Sequence, residues 1–214
     1  MALSKVNYNS LNVTPSASKF LAWDSDADAL AASDIGGSLN LISTQTASSS
    51  STLSFTSGID STYKKYIFRY YNIHPATNGA KLQFNGSDDS SSHSYDITKT
   101  TTFFQAYHNE AGNDTALHYS TANDLAQGTG FQNLNQIGSD NDQSGCGTLH
   151  LFDPSNTTFV KHFTIDAQTA DADDYSVNAF VAGYFNTTAA ITAIQFKMDS
   201  GNIDSGVIKM YGVS

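Results

Sequence analysis

Apolar and polar residues alternate with a period of two along much of this chain, and Gly, Pro, Asn or Asp breaks the alternation at short intervals. The clearest run is Thr62–His74, with Tyr66, Phe68 and Tyr70 on one face and Lys65, Ile67 and Arg69 on the other. That is the spacing of a half-buried β-strand. Pro75 ends it, and Asn78-Gly79 supplies a tight turn before a second strand, Ala80–Gly86, with Leu82 and Phe84 on one face. Ser94–His108 reads as one or two strands, and Gly147–Phe152 as another. Thr157–Ala167 follows, with Phe159, Lys161 and Phe163 on one face and Val160, His162 and Thr164 on the other; Tyr175–Phe185 comes next. At the end, "FKMDSGNIDSGVIKMYG" sets two apolar stretches around a loop of Asp, Asn, Ser and Gly, and reads as a hairpin.

The first fifty residues follow a different pattern. Leu3, Val6, Tyr8, Leu11 and Val13 punctuate a polar, extended segment that ends at Pro15. Phe20–Asp34 fits a short helix after Asp24 or Asp26, or a strand ending at Trp23; period alone does not separate the two. Leu39–Ile42 fits a short strand, Thr46–Ser54 a polar connection, and Asp124–Gln127 a turn of helix. Eight to ten strands spaced by turn residues predict an all-β fold. The expected form is an antiparallel β-sandwich of jelly-roll type over 51–214, preceded by an extended N-terminal arm and Ser-rich connection over 1–50.

Composition sharpens this picture. Of 20 acidic residues only Glu110 is Glu, and Arg69 is the sole Arg. Asp favours turns and caps where Glu favours helices, so the wet surface is that of strands and loops. A net charge of −10 argues against nucleic acid and against an anionic membrane surface as partner. Cys146 is the single cysteine, so no disulfide forms within the chain. "MALSKVNYNS" lacks the apolar core of a signal peptide, and no stretch is long and apolar enough to span a bilayer, which predicts folding in a cytoplasm.

Candidate chemistry is sparse. Asp199, Asn202 and Asp204 depart from the spacing of a calcium loop, and no Glu follows them. Asp24, Asp26 and Asp28 alternate correctly, but Ala29 and Ile35 stand where that loop needs Gly and Glu. Asp140 with Asp142, and Asp171 with Asp173 and Asp174, read as surface loops. His74, His93, His108, His118, His150 and His162 form no zinc-binding spacing. Neither a nucleophile elbow nor a phosphate-binding loop is present. The expectation is no enzyme, no cofactor and no metal. Tyr66, Tyr70, Tyr71, Phe103, Phe104 and Tyr107 fit a hydrophobic core, or a core plus an interface, better than a sugar-stacking platform.

Several stretches, "NIHPATNGAKLQF", "TTTFFQAYHNE", "TANDLAQGTG", "FDPSNTTFVKHF", "AGYFNTTAAITAIQFKMDSGNIDSGVIKMYG" and the opening "MALSKV", together resemble structural proteins of marine bacteriophages, especially phages of cyanobacteria. The likeness covers most of the chain from Phe55 onward and the first few residues, and brings no catalytic residue with it. It implies a virion component of jelly-roll type. The expected role is a capsid decoration or cement protein, a homo-oligomer with a trimer favoured. Its partners are the major capsid protein or other virion proteins, and it binds through Leu3, Val6, Tyr8, Leu11, Val13 and Trp23. The alternative is a tail-fibre or tail-tip module that recognises a host surface glycan.

Overall fold

The period-two pattern folds as it reads. The computed structural model describes residues 20–23, 30–33 and 39–214. Among them are fourteen strands and no helix. The chain divides into two compact units, the second running from Asn40 to Val213. In the first unit, β1 (Phe20–Trp23) and β2 (Leu30–Ser33) form an antiparallel hairpin, pairing Phe20 with Ser33 and Trp23 with Leu30. Of the two conformations left open for this stretch, the strand ending at Trp23 is the one observed.

The second unit is an antiparallel β-sandwich. Its strands are β3 (Leu39–Ser50), β4 (Leu53–Phe55), β5 (Lys65–Pro75), β6 (Ala80–Ser87), β7 (Lys99–Asn109), β8 (Thr115–Tyr119), β9 (Gln132–Ile137), β10 (Gly145–Phe152), β11 (Lys161–Ala170), β12 (Tyr175–Phe185), β13 (Ala193–Met198) and β14 (Ile203–Val213). One sheet has eight strands, in the order β3-β14-β5-β10-β11-β12-β7-β8; the other has four, β4-β13-β6-β9. The pairings nest: β5 with β14, β6 with β13, β7 with β12, β10 with β11. Nested pairing is the part shared with a jelly roll. The eight-and-four division is not, because β10 and β11 pair inside the larger sheet.

Three sequence readings are corrected here. Thr46–Ser54, read as a connection, instead continues β3 to Ser50 and then enters β4 at Leu53. Asp124–Gln127 is loop, held against β7 by the Thr101 N–H donating to Leu125 O at 2.8 Å. The closing hairpin is not a hairpin: β13 lies in the four-stranded sheet and β14 in the eight-stranded one. The Asp199–Asn202 loop is therefore a corner between sheets. It lies against the Ala76–Gly79 corner, with Ala76 N–H donating to Asn202 O and Asp199 N–H to Lys81 O, both at 3.0 Å. Asp199 Oδ1 also accepts the Lys81 N–H, and Asp204 accepts the Ser49 hydroxyl. These polar side chains fasten a bend. Next to the corners, late in β5 and early in β14, the pairing shifts register, with Asn72 at φ 49° and Gly206 at φ 123°. A side chain at Gly206 would meet Asn72 O and Ile73 Cα at 2.8 Å, so glycine is required there.

The inward faces supply the core. Phe84 of β6 lies at its centre, with ring centroids 5.1 Å from Phe163, 6.1 Å from Phe185 and 6.2 Å from Phe196. Gly86 lets the small sheet approach closely, since a Cβ there would sit 3.0 Å from the Phe185 ring. Phe185 pairs with Lys99 on one side and Lys161 on the other, and both lysines are fully buried. Lys99 Nζ donates to Ile97 O at 2.9 Å and to Gly130 O at 2.6 Å. Lys161 Nζ donates to Phe159 O at 2.8 Å and to Thr187 O at 3.2 Å. The segments before β7, before β9, before β11 and after β12 are thus clipped to the end of the core. Buried Asn85 and Gln132 add further clips, donating to Tyr95 O, Thr129 O and Asn123 O.

Lys99→Met leaves two carbonyls without their ammonium partner and is expected to destabilise the fold by about 2–4 kcal/mol in chemical denaturation. Burial lowers the Lys99 pKa from 10.5 to about 8. Between those values the unfolded chain binds more protons than the folded one, so this group's contribution to stability rises with pH. The gap in unfolding free energy between wild type and Lys99→Met should therefore widen from pH 8 toward 10.5. A gap that stays constant contradicts a buried, depressed lysine.

Candidate functional site

Strand register sets the outward side chains of the large sheet into rows. One row passes from Tyr119 through Phe104, Phe180, Asp166, Thr148 and Arg69 to Lys209, each residue opposite the next. It begins aromatic and ends cationic. At the aromatic end the Phe104 and Phe180 rings stack with centroids 5.2 Å apart and planes at 19°. Both are exposed, as are Tyr119 and, at 73 %, Leu117. Tyr119 Oη donates to Asp124 Oδ2 at 2.6 Å, which fixes the ring and raises the phenol pKa. At the other end Arg69 and Lys209 face each other as like charges, and the Arg69 guanidinium lies 5.7 Å over the Tyr211 ring. An outward face of this kind gains free energy by burying its rings against a partner, about 1.5–3 kcal/mol for each large apolar side chain fully covered.

A cleft of about 560 Å³ opens between Phe152 and Phe159, with Asp153, Asn156, Thr158 and His162 on its walls. Phe159 is 68 % exposed yet held firmly. Asn156 Oδ1 accepts the N–H groups of Thr158 (2.7 Å) and Phe159 (2.8 Å), and Asn156 Nδ2 donates to Asp153 Oδ2. Asp153 is further paired with Lys64 at 3.0 Å; these hydrogen bonds, from Asn156 first, keep its carboxyl below the usual range. Phe152 stacks on His150 and lies under Lys65 Nζ at 5.5 Å. Burial, then Lys65 and Arg69, push the His150 pKa down.

A third depression, of about 680 Å³, gathers His108, Glu110, Asp142, Cys146 and Asp174 near the β7–β8 and β11–β12 turns. Among the described residues, no three His, Cys, Asp or Glu side chains are placed to hold a metal ion. Asp171 shows what its loop carboxylates do: Oδ1 accepts the N–H groups of Asp173 and Tyr175, both at 3.0 Å.

Leu3, Val6, Tyr8, Leu11 and Val13, and the Asp24, Asp26 and Asp28 triplet, lie outside the described residues. Trp23 is exposed on β1. The six aromatics weighed as a platform separate. Tyr66, Tyr70 and Phe103 are buried in the core, Tyr107 is half-buried, and Tyr71 and Phe104 are exposed. Thr157–Val160 is loop rather than strand, so Phe159 leaves the face it was expected to share with Lys161 and Phe163. Phe152, Phe180, Leu117 and Tyr119 were not singled out from sequence. Phe180 alternates with Val177, Ala179 and Val181, and shares the outer face with Asn178. Phe152 and Phe159 bracket the Asp153–Asn156 turn, which was the available signal. No family model, no curated protein and no solved structure matches the chain.

Asn156→Ala removes the acceptor that orders the Phe159 loop. It is expected to lower stability by about 1–2 kcal/mol and to speed hydrogen exchange at the Thr158 and Phe159 amides. Unchanged exchange there would show that the loop is held by other contacts.

Proposed function

We propose that this chain is a non-enzymatic virion structural protein, a decoration or cement protein that docks on an assembled bacteriophage head. The observation that carries the proposal is the exposed aromatic end of the large sheet, formed by Leu117, Tyr119, Phe104 and Phe180. Contiguous apolar surface of this kind marks interaction sites on soluble proteins. Two further features support it: the resemblance to marine phage structural proteins, and a core whose buried lysines clip loops rather than line a cavity. The partner is the major capsid protein or another virion protein. Binding to the assembled shell but not to free subunits stabilises the shell by mass action. Leu3, Val6, Tyr8, Leu11, Val13 and Trp23 are assigned a contact of their own with the same partner.

A second reading has its own observation. The Phe152–Phe159 cleft offers two exposed rings with hydrogen-bonding side chains between them, which suits a host surface glycan and a tail-tip location.

Gold-labelled antibody on intact virions separates the two. Label spread over heads, with loss of head binding in the Phe104→Lys/Phe180→Lys double variant, is the expected outcome. Label confined to the tail, with cell adsorption abolished by Phe159→Ala, favours the glycan reading. Absence of the protein from purified virions by mass spectrometry overturns both.

A further inference from the structure

β8 ends the eight-stranded sheet and, among the described residues, pairs with β7 alone. Two backbone bonds fix which of its groups that pairing uses. Ser120 N–H donates to Phe103 O at 2.8 Å, and Asn109 N–H to Asp114 O at 3.0 Å. In an antiparallel ladder the mutually bonded pairs recur at every second residue. The backbone groups of Ala116 and His118 therefore face β7. Those of Thr115, Leu117 and Tyr119 point away from the sheet.

Edge strands of soluble proteins are blunted by Lys, Pro, a bulge or a covering segment. Thr115–Tyr119 contains neither Lys nor Pro, and its register with β7 is unbroken. Thr115, Leu117, His118 and Tyr119 are all exposed. No acidic side chain lies on the strand, although the chain carries a net charge of −10.

We infer that β8 pairs with β8 of a second copy, antiparallel about a two-fold axis at Leu117, so that two eight-stranded sheets become one. Self-pairing satisfies this edge completely. Leu117 meets Leu117 of the partner subunit, and Thr115 meets Tyr119 of the partner subunit, so every outward N–H finds a C=O. The arrangement is isologous and closes at two copies, not three. The side chains of Thr115, Leu117 and Tyr119 share the outward face with Phe104. The two Leu117 side chains therefore meet across the axis, and the aromatic patches of both copies become one surface. Asp114 precedes the strand and Asp124 bonds Tyr119 at its end, so the repulsion between copies comes from acids that flank the edge. An edge of five residues buries less than the roughly 1,000 Å² of a stable interface, so the dimer is a weak one, in the micromolar range. Screening the mutual repulsion strengthens it as salt rises. The inference concerns purified protein and does not depend on the virion role.

Sedimentation equilibrium of the full chain, from about 1 µM to a few hundred µM, is the test. Wild type should pass from monomer to dimer, at lower concentration in 0.5 M than in 0.1 M NaCl. Leu117→Pro removes the central outward N–H and leaves the ladder to β7 intact; it should raise Kd by at least about tenfold. Leu117→Thr keeps the backbone edge and should stay within a few-fold of wild type. Hydrogen exchange needs no variant: the Thr115, Leu117 and Tyr119 amides should gain protection with concentration. A monomer throughout, a trimer, or a dimer indifferent to Leu117→Pro with those amides unprotected overturns the inference.

Discussion

The side-chain amino groups of Lys99 and Lys161 fasten the loops at one end of the sandwich. Each is buried against Phe185 and each donates to two loop carbonyls, so four separate loop segments converge on one end of the core. A buried charge is tolerated only when its hydrogen bonds are made. That requirement fixes the segments around Ile97, Gly130, Phe159 and Thr187 as firmly as strand pairing fixes the sheets. The same geometry sets the Phe159 loop. The Phe159 carbonyl is held by Lys161 from below while Asn156 holds its amide from the side, and the ring is left exposed on a rigid loop.

The sandwich can spare its outer face because the inner one is self-sufficient. Phe84, Phe163, Phe185, Phe196 and Phe68 interlock in edge-on and tilted contacts between the sheets. Nothing on the outer face is needed to close that core. Phe104, Phe180, Tyr119 and Leu117 remain available for another surface, and β8 remains available as an edge. An outer face with exposed rings, and an edge strand that among the described residues has a single partner, are the two features on which the docking and pairing proposals rest.

Much of the fold was legible in the sequence. The strands around Tyr66–Tyr70, Leu82–Phe84 and Tyr175–Phe185 declared themselves by period, because one face of each is covered and the other is wet. Pairing was not legible. Whether "DSGNID" turns within a sheet or between sheets depends on the bulge at Asn72 and Gly206, and on the neighbouring corner at Ala76. Those are contacts across more than a hundred residues of chain. Lys99 and Lys161 look like surface positions until their loop carbonyls are placed. The candidate surface was hidden for a related reason: in β12 Phe180 and Ala182 stand beside Asn178 on the outer face, and only the position of the second sheet decides that Val181 is core and Phe180 is not.

The most direct measurement is hydroxyl-radical footprinting of aromatic side chains, comparing the free protein with the protein on intact particles. Docking through the outer face of the large sheet requires Phe104, Phe180 and Tyr119 to become protected on the particle, while Phe152 and Phe159 stay as reactive as in solution. Protection of Phe152 and Phe159 with Phe104 and Phe180 unchanged would contradict it and move the contact to the cleft.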